Sequence, residues 1–209
     1  CAWVNIFKEY QQLLGVPVDM NEVFGKLYNH ALEGDADCGG LISYNYISGE
    51  PVTGLAEGRP MFVRSANDKF NLANFMRSHL YASVGVLKIG NDILFNEEHV
   101  KVDRITGHGG LFKTKGVGQR VLAAAINSPI SVMETAGEGG AWGIALLASY
   151  LVNHEGNEAL ADFLENHVFA GNTGVEIAPT AEDVAGFNIY IENYKRGLAI
   201  EKAAVENKN

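Results

Sequence analysis

Along the first third of the chain, apolar residues fall every three or four positions and stop at glycines. Trp3, Ile6, Phe7, Tyr10, Leu13 and Leu14 predict an amphipathic helix that Gly15 and Pro17 close. "MNEVFGKLYNHALEG" predicts a second, with Asp19 or Asn21 as N-cap and Gly34 as stop. A turn, "DADCGG", leads into "LISYNYISG", whose Tyr, Ile and Ser residues read as a strand. The prolines and glycines of "EPVTGLAEGRP" mark a loop. From Lys69 to about Lys88 the helical period returns, with Leu72, Phe75, Met76, Leu80, Val84 and Leu87 on one face.

The pattern then changes. "VKVDRIT" reads as a short strand ending at Gly107, followed by the helix "GVGQRVLAAAI" and a second strand, "PISVMET". "GEGGAWGIALLASYLVNHEG" is a glycine-fronted helix that is apolar almost all round, so burial is expected. "NEALADFLENHVF" and "AEDVAGFNIYIENYKRGLAIEKAAVE" are two further helical patterns. Strand, glycine turn and helix, taken twice, predict an α/β nucleotide-binding core.

Composition narrows the class. With 47% hydrophobic and 20% charged residues the chain has enough apolar surface for a real core. A net charge of −9 lacks the basic face of a nucleic-acid partner. No apolar run reaches the ~18 residues of a membrane span, so no membrane partner is expected. Two cysteines, Cys1 and Cys38, build no disulfide framework and suit a cytoplasmic protein. The opening at Cys1, inside a helical pattern, reads as a fragment of something longer or as a chain freed of an expression tag.

The two glycine turns carry the candidate chemistry. In "TGHGG", Gly107, Gly109 and Gly110 let backbone N–H groups approach a ligand, and Lys113 and Lys115 add charge that suits a phosphate. A plain tight turn with solvated lysines is the structural alternative. "AGEGGAW" repeats the arrangement about thirty residues on, so the turns would form two walls of one crevice. There the alternative is close helix–sheet packing. Neither turn fits the dinucleotide fingerprint, and no Walker A loop is present. "GDADC" reads as a solvated turn rather than a metal loop, Cys38 as a small core residue, and the six histidines show no i,i+4 pair for zinc. His108 alone falls in the expected crevice, against a base or phosphate or out to solvent.

Together, "ITGHGG" and "QRVLAAAINSPISVMETAGEGGAWGIALLASYLV" resemble the C-terminal domain of the FGGY family of carbohydrate kinases. "DADCGGLISYNYISGEPVTGLAEGRPMFV" is similar to that family's "GxxGLxxxPYxxGERxPxxDPxARG" stretch, and "APTAEDVAGFNIYIENYKRGL" to its closing helix. Among the branches, the xylulokinase-like and ribulokinase-like enzymes are the most similar. The resemblance implies an actin-like, ribonuclease-H-like α/β domain lacking its first strands, in one unit over residues 1–209, with the sugar-binding domain elsewhere. It implies ATP, with Mg²⁺ held mainly by that other domain, and ADP and a ketopentose as partners. Gly107, Gly109 and Gly110 would then lie by the phosphates and ribose, with His108 beside them. Gly139, Gly140, Ala141 and Leu111 would line the adenine pocket. The sequence departs from the family at His108, at Ala124 and Ala125, at "GEP" (Gly49 to Pro51) and at Trp142. No residue is assigned as catalytic base, and no activity is expected of the chain alone. A non-catalytic nucleotide-dependent sensor or assembly module is the alternative, and an α/β interaction module without a ligand a weaker one. The apolar tail helix, with Phe187, Ile189, Tyr190, Ile191 and Tyr194, would dock on its own lobe or on a second subunit as a homodimer.

Overall fold

The computed structural model describes residues 2–102, 105–133, 139–170 and 174–207. Helix α1 (Ala2–Leu13) ends where Gly15 takes the left-handed φ of +69°. It presents Val4 to the core but leaves Ile6, Tyr10, Leu13 and Leu14 exposed. Helix α2 (Met20–Ala31) begins at Asp19, whose carboxylate accepts the Asn21 amide at 2.8 Å. Strand β1 (Ile42–Tyr44) pairs antiparallel with β2 (Met61–Val63) across the glycine- and proline-rich loop. Helix α3 (Leu72–Asp92), capped by Asn71, runs through the centre and continues as a π-helical turn, Ile93–Glu97. "FNEEH" lies on its exposed end.

The second sheet is β3 (Ile105–Thr106), β4 (Ile130–Val132) and β5 (Val175–Ile177), in that order. β3 and β4 run parallel across helix α4 (Val117–Ile126), while β5 returns antiparallel to β4. Helices α5 (Gly139–Asn153) and α6 (Leu160–Phe163, continued by the π turn Leu164–Val168) join β4 to β5. Helix α7 (Ala181–Glu206) starts at Thr180, whose hydroxyl accepts the Asp183 amide, as an N-cap should.

The tail helix docks on its own lobe. Phe187, Tyr190, Ile191 and Tyr194 are buried, and only Ile189 of the expected apolar set faces solvent. The Tyr44 hydroxyl donates to the Tyr194 carbonyl at 2.8 Å, and the Tyr194 hydroxyl to that of Tyr46 at 2.6 Å. A side chain on Gly186 would overlap the Ala36 backbone, so glycine there lets α7 lie directly against the 35–40 turn. In that turn Cys38 is fully buried, as expected of a core residue. Asp35 accepts from Lys69 and Asn74 at 2.9 Å each, so it fastens the turn to α3 rather than standing free in water.

Three helices meet at a buried charge cluster. Arg77 of α3 and Asp183 of α7 pair at 2.5 Å with side chains 3% exposed, and Arg120 of α4 reaches the same carboxylate at 2.6 Å. Arg77 also donates to the Tyr81 hydroxyl and to the carbonyls of Leu32 and Gly34. Every oxygen and most donors are thereby partnered, which a buried ion pair needs to offset desolvation. Burial alone would raise the Asp183 carboxyl, but hydrogen bonds from Arg120, Thr180 and Arg77 outweigh it and hold it below the ordinary aspartate range.

One expectation fails. Helix α5, apolar nearly all round, has no buried residue among those described; Ile144, Leu151 and Val152 are 69%, 74% and 79% exposed. Its composition satisfies the pattern of an interior helix, yet no described element packs over its outer face. The sequence reading also omitted β5, a strand of three residues that pairs with β4.

Candidate functional site

Strand β3 ends at Thr106, and the first glycine turn begins with the chain still held to the sheet. The Gly107 amide donates to the Ser131 carbonyl of β4 at 2.8 Å. A side chain at 107 would overlap the Phe112 ring, so this glycine is required by packing. Gly109 has φ +103° and ψ −174°, a conformation open in practice to glycine alone. Next comes one tight helical turn, Gly110–Lys113, closed by the Phe112 amide on the Gly109 carbonyl at 3.0 Å. Only after Gly116, at φ +78°, does α4 begin. The helix therefore does not follow the turn directly. The lysine-bearing turn, with Lys113 and Lys115 both exposed, projects between them.

Two residues that sequence reasoning gave no role fix the root of this turn. The Gln119 side-chain amide, 5% exposed, donates to the Ile130 carbonyl of β4 at 2.9 Å and the Val175 carbonyl of β5 at 2.7 Å. Arg120 ties the next position of α4 to Asp183 of α7. Leu111 packs against the core from the turn, and its carbonyl lies where a side chain on Gly118 would begin. The signal for Gln119 was a polar residue among apolar helix positions, but nothing local names its partners.

Of the second turn, Glu134 to Glu138 lie outside the described residues, so its strand-side half is not placed. Its helix-side half is. Gly139 and Gly140 open α5, a helix of 15 residues, whose first amides lack intrahelical acceptors and whose dipole favours negative charge. The structure brings this start against the first turn. The Cβ, Nδ1 and Cγ atoms of His108 lie 3.2, 3.4 and 3.5 Å from where a side chain on Gly139 would begin.

The predicted residues thus divide by what surrounds them. A side chain on Gly107 would overlap the Phe112 ring, whereas one on Gly139 would meet the exposed His108 at 3.2 Å. Gly109, Gly110 and Gly140 face open space, with nothing within 4 Å of an added Cβ. His108, Gly110, Gly140 and Ala141 are exposed, Leu111 is half-buried, and Trp142 is half-buried with an indole nitrogen that has no partner among the described residues. The result is a stretch of exposed turn backbone set beside the N-terminus of α5.

Residues 2–152 match the FGGY family of carbohydrate kinases, C-terminal domain. The chain belongs to that family. Comparison with functionally curated proteins gives no significant match. Among solved structures, the ligand-bound xylulose kinase of Lactobacillus acidophilus superposes with TM-score 0.62 at 22% identity, over 86% of this chain and 35% of that one. The glycerol kinase of Plasmodium falciparum with ADP gives 0.63 at 14% identity, over 95% of this chain and 37% of that one. Gluconate kinase of Lactobacillus acidophilus gives 0.61 at 21% identity, over 86% and 35%. At these identities the likeness is one of fold, the actin-like α/β architecture. The chain spans little more than a third of the length of these kinases. No helix among the described residues is long and apolar enough to cross a membrane.

Proposed function

We propose that this FGGY C-terminal domain is the ATP-binding half of a cytoplasmic sugar kinase that moves the γ-phosphoryl group of ATP onto a ketopentose such as xylulose. The observation that supports the reading is the approach of His108 to Gly139, which sets the first glycine turn beside the start of α5. Gly109, Gly110 and Gly140 leave backbone free to meet a ligand, with Gly107, His108, Leu111, Gly139 and Ala141 around them. The α5 N-terminus and the exposed flank with Lys113 and Lys115 favour an anion. A kinase of the same fold was solved with ADP, which agrees with this choice of ligand. The ketopentose rests on the sequence resemblance and on the xylulose kinases among the structures of like fold.

Phosphoryl transfer is a matter of positioning and of charge stabilisation around the transferred group. This chain's part would be to seat the nucleotide, with its turns pinned by Gln119 and Arg120. Magnesium would neutralise the phosphates, but among the described residues no three His, Cys, Asp or Glu side chains gather as a metal needs. Asp35, Asp183 and Glu201 are committed to lysine, arginine and backbone partners. No step through the metal or a base is therefore assigned to them, and both would come from a sugar-binding domain outside this chain. An ADP-release assay on the whole protein, offered D-xylulose, D-ribulose, gluconate and glycerol, tests the reading. A ketopentose should give the highest kcat/KM, and this chain alone should release none. Preference for glycerol or gluconate would overturn the substrate assignment.

A further inference from the structure

A pocket lined by none of the glycine-turn residues lies where α1 meets β2 and the start of α3. It holds about 390 Å³, within the roughly 300–1,000 Å³ of small-molecule sites. Its walls are almost wholly apolar: Trp3, Ile6 and Phe7 of α1, Phe62 of β2, then Phe70 and Phe75. The rings brace one another. Trp3 and Phe62 meet Phe75 edge-on at centroid distances of 5.4 and 5.0 Å, and Phe62 lies 5.6 Å from Phe70. Phe75 is buried, whereas Phe70 and Ile6 are 56% and 54% exposed, so the pocket runs from a closed floor to an open mouth. Its own packing holds it open, and the aromatic surface left in water is what a flat apolar molecule would cover. The mouth is not neutral. The Arg64 guanidinium sits over the Phe70 ring, 5.2 Å from its centroid, exposed and with no carboxylate paired to it among the described residues. The edge beside Phe70 is Asn71, held in place by accepting the Asn74 amide at 2.8 Å.

We propose that this pocket is a second ligand site, one that takes a flat aromatic carboxylate with its rings among Trp3, Phe62 and Phe70 and its carboxylate toward Arg64. The inference does not depend on the nucleotide reading, since the two sites share no residue. The two parts of the site do different work. The aromatic walls supply affinity for any flat apolar body of the right size. Arg64 supplies the preference for an acid over a neutral molecule of the same shape. That preference is a modest one of about fourfold, because an exposed ion pair is screened by water.

The test is isothermal titration of this chain with 2-naphthoate and with its neutral counterpart 2-naphthylmethanol, in the wild type, Arg64→Gln and Ile6→Glu. Arg64 and Ile6 are both exposed, so each variant should keep the wild-type unfolding midpoint. The wild type should bind one naphthoate per chain, about fourfold more tightly than the alcohol. Arg64→Gln should bring the two within about twofold by weakening the acid alone. Ile6→Glu sets a carboxylate in the apolar wall and should weaken both ligands at least about tenfold. Equal binding of acid and alcohol by the wild type, or a preference kept in Arg64→Gln, would overturn the assignment of an anionic ligand. Binding unchanged in Ile6→Glu would put the ligand elsewhere, and binding of neither ligand would remove the site. Binding that strengthens as the protein is diluted would show the pocket to be the seat of a second copy of the chain, which also overturns the proposal.

Discussion

Arg77 holds more of the structure than any other charged residue, because a single guanidinium links α3 to α7 through Asp183 and to the end of α2 through two carbonyls. Removing it leaves Asp183 buried with Arg120 as its remaining cation, a half-broken network of the kind that costs about 3–5 kcal/mol. Arg77→Ala should lower the stability by that amount in denaturant titration; a change under about 1 kcal/mol would show that the network contributes little. The pH dependence has a definite sign. Asp183 is held below its ordinary range in the folded state, so its contribution is present above the unfolded aspartate pKa and lost as pH falls through the folded one. Acid should therefore destabilise the wild type below about pH 4, and less steeply in Arg77→Ala. Glu201 acts the other way. It is fully buried, with one oxygen accepting from the Arg59 amide at 2.7 Å and the other without a partner among the described residues, and burial pushes its carboxyl up despite Arg59. Glu201→Gln should keep the acceptor and remove the buried charge, so the unfolding midpoint should rise at pH 8 and converge with wild type in acid. A lower midpoint at pH 8 would contradict this. None of these partners could be read from sequence, because the pairs lie between 43 and 142 residues apart along the chain.

What could be read was local. Helix α7 lies where the apolar spacing and the Thr180 cap put it, since cap and period act within one turn of chain. The first glycine turn was legible for a similar reason, since strand, glycine run and helix fall within about a dozen residues of chain, but the tight turn Gly110–Lys113 that separates glycines from helix was not. Gln119, by contrast, earned no role from its neighbours in sequence, because its acceptors are on two strands. The failure of α5 has a plain cause. A helix without a polar face carries no information about which side is inward, and its burial depends on what is packed beside it. The exposed stripe through Ile144, Leu151 and Val152 should make this chain self-associate at concentrations where the rest of its surface would not. Leu151→Lys with Val152→Lys should lower light scattering at high concentration and change stability by no more than about 0.5 kcal/mol. Scattering equal to wild type would mean that the stripe is not the adhesive face.

A core of aromatic and charged contacts around α3 and α7 carries a small mixed sheet, and the glycine turn after its first strand lies beside the start of α5. Open space around Gly109, Gly110 and Gly140 is shared by Gly15, Gly25, Gly54, Gly90, Gly143 and Gly156, so it does not by itself mark a site. The physical case for the proposed site is the approach of His108 to Gly139, and the proposed ligand rests on family membership. The most direct measurement is a titration of this chain with Mg-ADP, with NAD⁺ as control, read by Trp142 fluorescence and repeated on Gly140→Asp. Because Gly140 faces open space, aspartate there should fold normally while setting a negative charge at the α5 N-terminus where phosphates would lie. Saturable binding of ADP alone, weakened at least about tenfold in Gly140→Asp, is the predicted result. Equal binding of ADP by both proteins would place the nucleotide elsewhere and contradict the crevice.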